Sequence, residues 1–276
     1  MNKDFFKQVR ILDGGMGQEL HAKGLISMGT LWSASANLEK KFHNLVVDLH
    51  LSYINSGADV IITNTFSARR IRLIQNKVNE HFNYINEQAC LLAIKARDLS
   101  KKNILIAGSL PSQSDTYVED QRNSNEIEKD FLDQATIINP YVDFFYLDVL
   151  SSGKELDIAS NVAAKLKRPI LAGVHLKKNC LLPSGESITE VVKKYKNENK
   201  IIIEQLTAFK RAGASMIVSY HSIDIAKSFL SRKKSKIVIC KSKTSDLSHI
   251  RIWVEEGKIK PVIEKVYEFD QYREAY

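Results

Sequence analysis

Short apolar runs recur along the first two-thirds of the chain, and each ends in small, polar residues that expose backbone. The clearest pair is Ile11-Leu12-Asp13-Gly14-Gly15-Met16-Gly17 and Ala58-Asp59-Val60-Ile61-Ile62-Thr63-Asn64-Thr65-Phe66. A buried parallel strand looks like this when it delivers its C-terminal end to a ligand site, because both its faces are covered and only the end is open. Further strand candidates occupy 103–109, 142–148 and 169–175, then 215–220, 236–240 and 259–263. Amphipathic stretches of helical period lie between them at 45–54, running into Gly57 as a stop, and at 83–99 and 155–166. About eight strands with helical linkers predict an α/β fold, a single (β/α)8 TIM-type barrel domain over residues 1–276. Regular closure would require the C-terminal strands to pair in register with strands five and one, which the sequence leaves open. A doubly wound open sheet is the alternative, since alternation alone does not separate the two.

Composition narrows the class. No apolar run approaches the roughly 20 residues of a membrane span, and Met1-Asn2-Lys3-Asp4 leads into no signal-peptide core. Three scattered cysteines, Cys90, Cys180 and Cys240, make no disulfide framework. The expectation is a soluble cytoplasmic protein without a membrane partner. Residues 1–198 hold 25 basic and 23 acidic side chains, whereas 199–276 hold 15 and 9. The one dense basic run, Arg232-Lys233-Lys234-Ser235-Lys236, falls between a helix and a strand and reads as a solvated loop, so no nucleic-acid partner is expected. Nothing here constrains the oligomeric state.

In a barrel the residues just past each strand build the site. Strand one then contributes Asp13, Gly14, Gly15 and Met16, and strand two contributes Thr63, Asn64, Thr65 and Phe66. Strand three contributes Gly108, Ser109 and Pro111, strand four Asp148, and strand five His175. Glycines admit a ligand to the backbone, and Asp13 or Asp148 can hold an amino group by a charge-assisted hydrogen bond. Taken singly, Gly14-Gly15 also reads as a tight turn with Asp13 capping the next helix.

These two segments, with Leu31-Trp32-Ser33-Ala34, Ala107-Gly108-Ser109, Leu147-Asp148-Val149, Gly173-Val174-His175-Leu176 and Leu181-Leu182-Pro183-Ser184-Gly185-Glu186, resemble the homocysteine S-methyltransferase family. The resemblance runs from about residue 10 to 198 and leaves 199–276 divergent. It implies transfer of a methyl group from a small sulfonium or ammonium donor to the thiol of homocysteine, giving methionine. It places Asp13, Gly14 and Gly15 along the amino-acid substrate with Thr63, Asn64 and Ser109 beside it. Asp148 stands where the family commonly has a glutamate that grips the amino group.

The resemblance also implies zinc, which deprotonates a bound thiol. The family takes three cysteine ligands, one after the sixth strand and two adjacent near the end. This chain has no adjacent cysteine pair, and its sixth-strand segment Met216-Ile217-Val218-Ser219-Tyr220-His221-Ser222 carries His221 in place of cysteine. His221, Cys240 and Cys180 form the substitute set, a Cys2His arrangement with one open position. Equally, Cys240 reads as the end of a buried strand, and Cys90 as helix core.

Beyond Asn199 the pattern changes. Glu204 through Tyr220, with Ala226-Lys227, resembles the final helix–strand–helix of porphobilinogen synthase, and from about 243 onward the chain resembles the tail of medium-chain quinone reductases and alcohol dehydrogenases. Three functions stand open at this point. One is a zinc-dependent homocysteine S-methyltransferase, and another is a non-catalytic amino-acid-binding or degenerate barrel. The third is a lyase or aldol-type barrel using Lys177 or Lys178.

Overall fold

The computed structural model describes residues 10–177, 181–195 and 201–204. The chain divides into two units, Met1–Ile203 and Glu204–Tyr276, and all but one of the described residues belong to the first. Helices α1 (Met16–Ala22), α2 (Ser35–Leu38) and α3 (His43–Asn55) precede strand β1 (Val60–Ile62). Then come α4 (Arg70–Gln75), α5 (Phe82–Ser100), β2 (Leu105–Pro111), α6 (Ser124–Ile138) and β3 (Phe144–Leu150). The series continues through α7 (Gly153–Lys165), β4 (Ile170–Val174), α8 (Ile188–Tyr195) and β5 (Ile201–Glu204).

Local chemistry sets these boundaries. Helix α3 runs into Gly57, whose φ of 110° is the left-handed geometry that terminates helices cheaply only at glycine. Asn123 and Glu126 cap each other's backbone at the start of α6, a reciprocal box that satisfies two otherwise orphaned donors. Ser152 caps α7 by accepting from the Glu155 backbone N–H at 3.1 Å. Among the described residues no helix is long and apolar enough to cross a membrane.

The five strands lie in the order β1-β2-β3-β4-β5, and β1 with β2, β2 with β3 and β3 with β4 all pair in parallel. A doubly wound sheet must reverse its strand order at a switch point. Strictly sequential order, one helix-bearing crossover per step, is the winding of a barrel wall. Among the described residues the wall is open. The strand expected at 9–13 contracts to a single bridge, Leu12 to Val60, because the chain turns away into α1 three residues after Asp13. Backbone bonds still dock this segment on β1: Asp59 N–H donates to Ile11 O at 2.8 Å and Asp13 N–H to Val60 O at 3.0 Å. Strand β5 was not anticipated; the Ile201-Ile202-Ile203 run carries a strand signal that the helical pattern after it obscures. The expected strands at 215–220, 236–240 and 259–263 lie outside the described residues.

Strand alternation splits the core into two layers. Val60, Ala107, Phe144 and Leu171, one from each of four strands, pack together with Leu12, Ile62, Leu105 and Tyr146 on the inner face. Their neighbours Ile61, Ile106, Phe145, Leu147, Ile170 and Ala172 join the helices in a larger outer core. Gly108 sits on the outer face beneath α6, where a Cβ would come within 2.9 Å of Ile138 and 3.2 Å of Val142. Gly108→Ala is therefore expected to lower unfolding free energy by about 1–3 kcal/mol through overpacking, measured by denaturant titration; an unchanged midpoint would refute this packing.

Candidate functional site

By the same parity, the inner-face positions at the ends of β2 and β3 are Ser109 and Asp148. The Ser109 hydroxyl donates to Asp148 Oδ2 at 2.8 Å. Immediately after Asp148 the strand pairing with β4 shifts between Leu147 and Leu150, and Val149 takes a φ of 61°. A β-branched residue in the left-handed region is strained. The bulge keeps Asp148 at the inner rim while Leu150 rejoins the ladder opposite Val174.

Asp13 lies at the end of the docked N-terminal segment. Its Oδ2 accepts from the Ile62 backbone N–H at 2.9 Å, while its Oδ1 is buried with no hydrogen-bond partner among the described residues. It does not cap α1, whose N-cap is Gly15 without a side-chain bond. Gly14 beside it is exposed. On the far side stands His50 of α3, fully buried, its Nδ1 3.9 Å from Asp13 Oδ2 and both ring nitrogens unpartnered. Burial alone drives the His50 imidazole down to about 3, so it is neutral at physiological pH.

Burial likewise pushes both carboxyls upward. Asp13 is raised well above the ordinary aspartate value by desolvation, against which the Ile62 N–H pulls down, while the charge of Asp148 raises it further. Asp148 rises to about 6 through desolvation, opposed by the Ser109 hydroxyl and by the positive charge of Arg69. A carboxyl whose native pKa exceeds its unfolded one stabilises the fold only at low pH. That contribution is lost as pH rises from the unfolded value, about 4, through about 6. At neutral pH Asp148 is a buried, ionised carboxylate that accepts from the Ser109 hydroxyl, and shifted carboxyls of this kind gather at functional sites.

The loop after β1 is fixed by polar bonds. Thr63 Oγ1 accepts from Ser109 N–H at 3.1 Å and pairs with Thr65 Oγ1 at 2.9 Å, and Thr65 donates to Ser109 O at 2.7 Å. Asn64 is tied into the fold by its side-chain amide. Its Nδ2 donates to Ser33 O at 2.9 Å and to Asn37 Oδ1 at 3.0 Å, clamping the 33–37 segment, and Asn37 Nδ2 donates back to Asn64 O at 2.8 Å. Beneath both loops, Gln134 of α6 donates to Thr65 O at 3.1 Å and Asn86 Oδ1 at 2.9 Å, and accepts from Gln113 Nε2 at 3.0 Å.

Two residues that sequence reasoning passed over belong here, His50 and Arg69. Arg69 follows Thr65-Phe66-Ser67-Ala68 and is 1% exposed. Its Nη1 donates to Ser112 O at 2.9 Å, one residue past the Pro111–Asp148 pairing, and its Nη2 donates to Thr116 Oγ1 at 2.8 Å. An arginine five residues past an expected strand end is a signal for it; His50 sits in an ordinary amphipathic helix and gives none. The 112–117 segment then carries Tyr117 onto His175, their ring centroids 4.6 Å apart, so that residues following β2 and β4 meet across the end of β3.

Of the predicted site residues, Asp13, Thr63, Ser109 and Asp148 come together at neighbouring strand ends. Cys180, His221 and Cys240 lie outside the described residues, as do the tail segments with their own resemblances from residue 205 onward. Lys177 is exposed and donates to Pro183 O at 2.8 Å, a solvated loop contact and not a buried amine; Lys178 is outside the described residues. Cys90 is buried in α5 with its thiol pushed up by burial, as expected of helix core. Among the described residues no group of three His, Cys, Asp or Glu side chains can hold a metal ion. The strand ends described here therefore do not themselves fit a zinc site.

Comparison with known proteins adds to this geometry. The metallated form of the homocysteine methyltransferase MmuM from Escherichia coli superimposes with a TM-score of 0.70 at 19% identity, covering 90% of this chain and 97% of that one. That likeness makes the fold a TIM-type α/β barrel, its wall open among the described residues. S-methylmethionine–homocysteine S-methyltransferase BHMT2 of Rattus norvegicus is 26% identical over 180 residues, 65% of this chain and 45% of that protein. Delta-aminolevulinic acid dehydratase of Synechocystis sp. is 26% identical over 194 residues, 64% of this chain and 52% of that protein. The chain thus spans about half the length of these two curated relatives. The model of the homocysteine S-methyltransferase family matches residues 10–218, three-quarters of the chain. The chain belongs to the homocysteine S-methyltransferase family.

Proposed function

We propose that the strand ends bind homocysteine by its amino-acid moiety and that the protein transfers a methyl group to its thiol from a small sulfonium or ammonium donor. The observation that carries this reading is the pair of buried carboxyls, Asp13 on the segment docked to β1 with its Oδ1 unpartnered among the described residues, and Asp148 near the end of β3, ionising near pH 6 and close enough for its charge to raise Asp13. An ammonium group placed between them supplies a counter-charge to both and donates the hydrogen bond that Asp13 Oδ1 lacks. Thr63 and Ser109 hold Asp148 and the β1 loop in place for it.

Thiol chemistry needs the thiolate, which a free thiol mostly is not at neutral pH. Zinc, when bound, supplies that deprotonation. Its ligands in this reading are His221, Cys240 and Cys180, and no step is assigned to the described residues on its behalf. The second reading, an amino-acid-binding barrel without turnover, is favoured by the missing adjacent cysteine pair.

The deciding experiment incubates the purified full chain with homocysteine and S-methylmethionine, and measures methionine formation alongside metal content. About one zinc per chain with methionine formed supports the transferase. Homocysteine binding without zinc or turnover selects the binding protein, and no homocysteine binding overturns both. Asp148→Asn is expected to weaken homocysteine binding about 10- to 100-fold by removing a charge-assisted bond. The same substitution should raise the melting temperature at pH 8, because it removes a charge the empty fold tolerates poorly. Homocysteine affinity of the unaltered protein should fall about tenfold per pH unit below about pH 6 as Asp148 takes a proton; a flat calorimetric profile from pH 7 to 5 would refute its role.

A further inference from the structure

Arg69 presents a charge problem the fold leaves unsolved. Its side chain is almost wholly buried, yet its hydrogen bonds go only to neutral acceptors, Ser112 O and Thr116 Oγ1, and its Nε has no partner among the described residues. No carboxylate among the described residues forms an ion pair with it. Burial brings the guanidinium down to about 10, and the nearby charge of Arg72 adds to this. Asp115, Glu155 and Asp148 act on it from a distance in the other direction. Glu155 is itself engaged, by the Ser112 hydroxyl and by the Ser151 backbone N–H at 2.9 Å, and Asp115 pairs with Arg72 at 3.0 Å. A buried guanidinium without a contacting anion is costly, and such a group is compensated when a ligand brings the anion.

The geometry specifies which anion. With Nη1 committed to Ser112 O, the free edge of the guanidinium is Nε together with Nη2, two parallel N–H groups that match the two oxygens of one carboxylate. Among the described residues the one hydrogen bond on that edge is from Nη2 to the Thr116 hydroxyl; Nε is buried without a partner, and the guanidinium carbon lies 5.3 Å from the centre of the Phe66 ring. Thr116 is partly exposed, and Asp115 and Tyr117 on either side of it are exposed, so the hydroxyl is displaceable. The edge lies at the C-terminal end of β2, close enough to Asp148 for the two charges to stabilise each other.

Resting on the amino-acid reading above, we propose that Arg69 is the carboxylate-recognising residue of this site. A zwitterionic α-amino acid places its ammonium group at Asp148 and Asp13 and its carboxylate on the Nε/Nη2 edge of Arg69, taking the place of Thr116 Oγ1. Both buried charges of the empty protein then meet their opposites in one ligand. The site selects against amines that lack a carboxylate, and Thr116 acts as a neutral placeholder that keeps Nη2 satisfied until the ligand arrives.

The test compares two ligands on the full chain by titration calorimetry: homocysteine, and 3-aminopropane-1-thiol, which keeps the thiol and the amine but has no carboxylate. Arg69→Gln is expected to weaken homocysteine binding about 10- to 100-fold and to leave 3-aminopropane-1-thiol within about twofold, with Arg69→Lys intermediate because it keeps the charge but not the fork. Thr116→Val is expected to hold or improve homocysteine affinity by removing the competitor. If Arg69 is only a latch for the 112–117 segment, both ligands weaken together and Thr116→Val weakens homocysteine as well; either result overturns the assignment. Should Arg69→Gln fail to fold, Arg69→Lys and Thr116→Val decide the matter by the same ratio of the two ligands. An unaltered protein that binds 3-aminopropane-1-thiol as tightly as homocysteine overturns the carboxylate assignment and leaves the ammonium site standing. One that binds neither ligand overturns the amino-acid reading itself.

Discussion

The side-chain amide of Gln134 is the interaction on which the rim of this barrel depends. It reaches from α6 to the loop after β1 through Thr65 O, to α5 through Asn86, and to the loop after β2 through Gln113. Each of these groups is buried, so each would cost free energy if left without a partner. Because one amide satisfies three elements, the two loops cannot move independently. The Thr63–Thr65–Ser109 bonds then carry that rigidity to Asp148. Rigid donors and acceptors beneath a site are what allow a charge above it to be held in an unfavourable state until a ligand comes.

That unfavourable state is the common thread of the site. The empty protein holds two carboxyls raised by burial, a histidine kept neutral by burial, and a guanidinium bonded only to neutral oxygens. None of these is how a chain optimised only for stability would spend its interior. In the proposed amino-acid reading, the ammonium and carboxylate of one ligand are the opposites of these groups. Neutral His50 matters in this balance. Charged, it would pair with Asp13; neutral, it adds no positive charge beside a carboxyl that burial already pushes up.

How much of this the sequence disclosed depends on the kind of residue. Strand ends were legible because parallel strands must be apolar along their length and polar at the tip, and Asp13, Thr63, Ser109 and Asp148 all fall at such tips. Helix limits were legible at Gly57, where a left-handed residue is required. The amide bonds of Asn64 were not legible because position along a strand does not tell which way a side-chain amide turns. It is spent on Ser33 and Asn37, whose proximity is purely tertiary. His50 was illegible for a related reason: on an amphipathic helix a buried histidine and a buried leucine occupy the same stripe. The first strand shrank to a bridge because its apolar residues meet β1 only where the chain is already turning into α1. The substitute metal set, His221, Cys240 and Cys180, falls outside the described residues.

The left-handed Val149 has one more consequence. Side chains of a strand alternate between faces, so the two-residue irregularity between Leu147 and Leu150 decides which of Asp148 and Val149 looks inward. Were the last turn of β3 to slip by one residue, the backbone would relax from its φ of 61° and the rim would show an isopropyl group where it now shows a carboxylate. The acidity of the site is thus encoded as a choice of register, maintained against about 1–3 kcal/mol of conformational cost. Ligands that pull on Asp148 are also ligands that keep the strand from slipping.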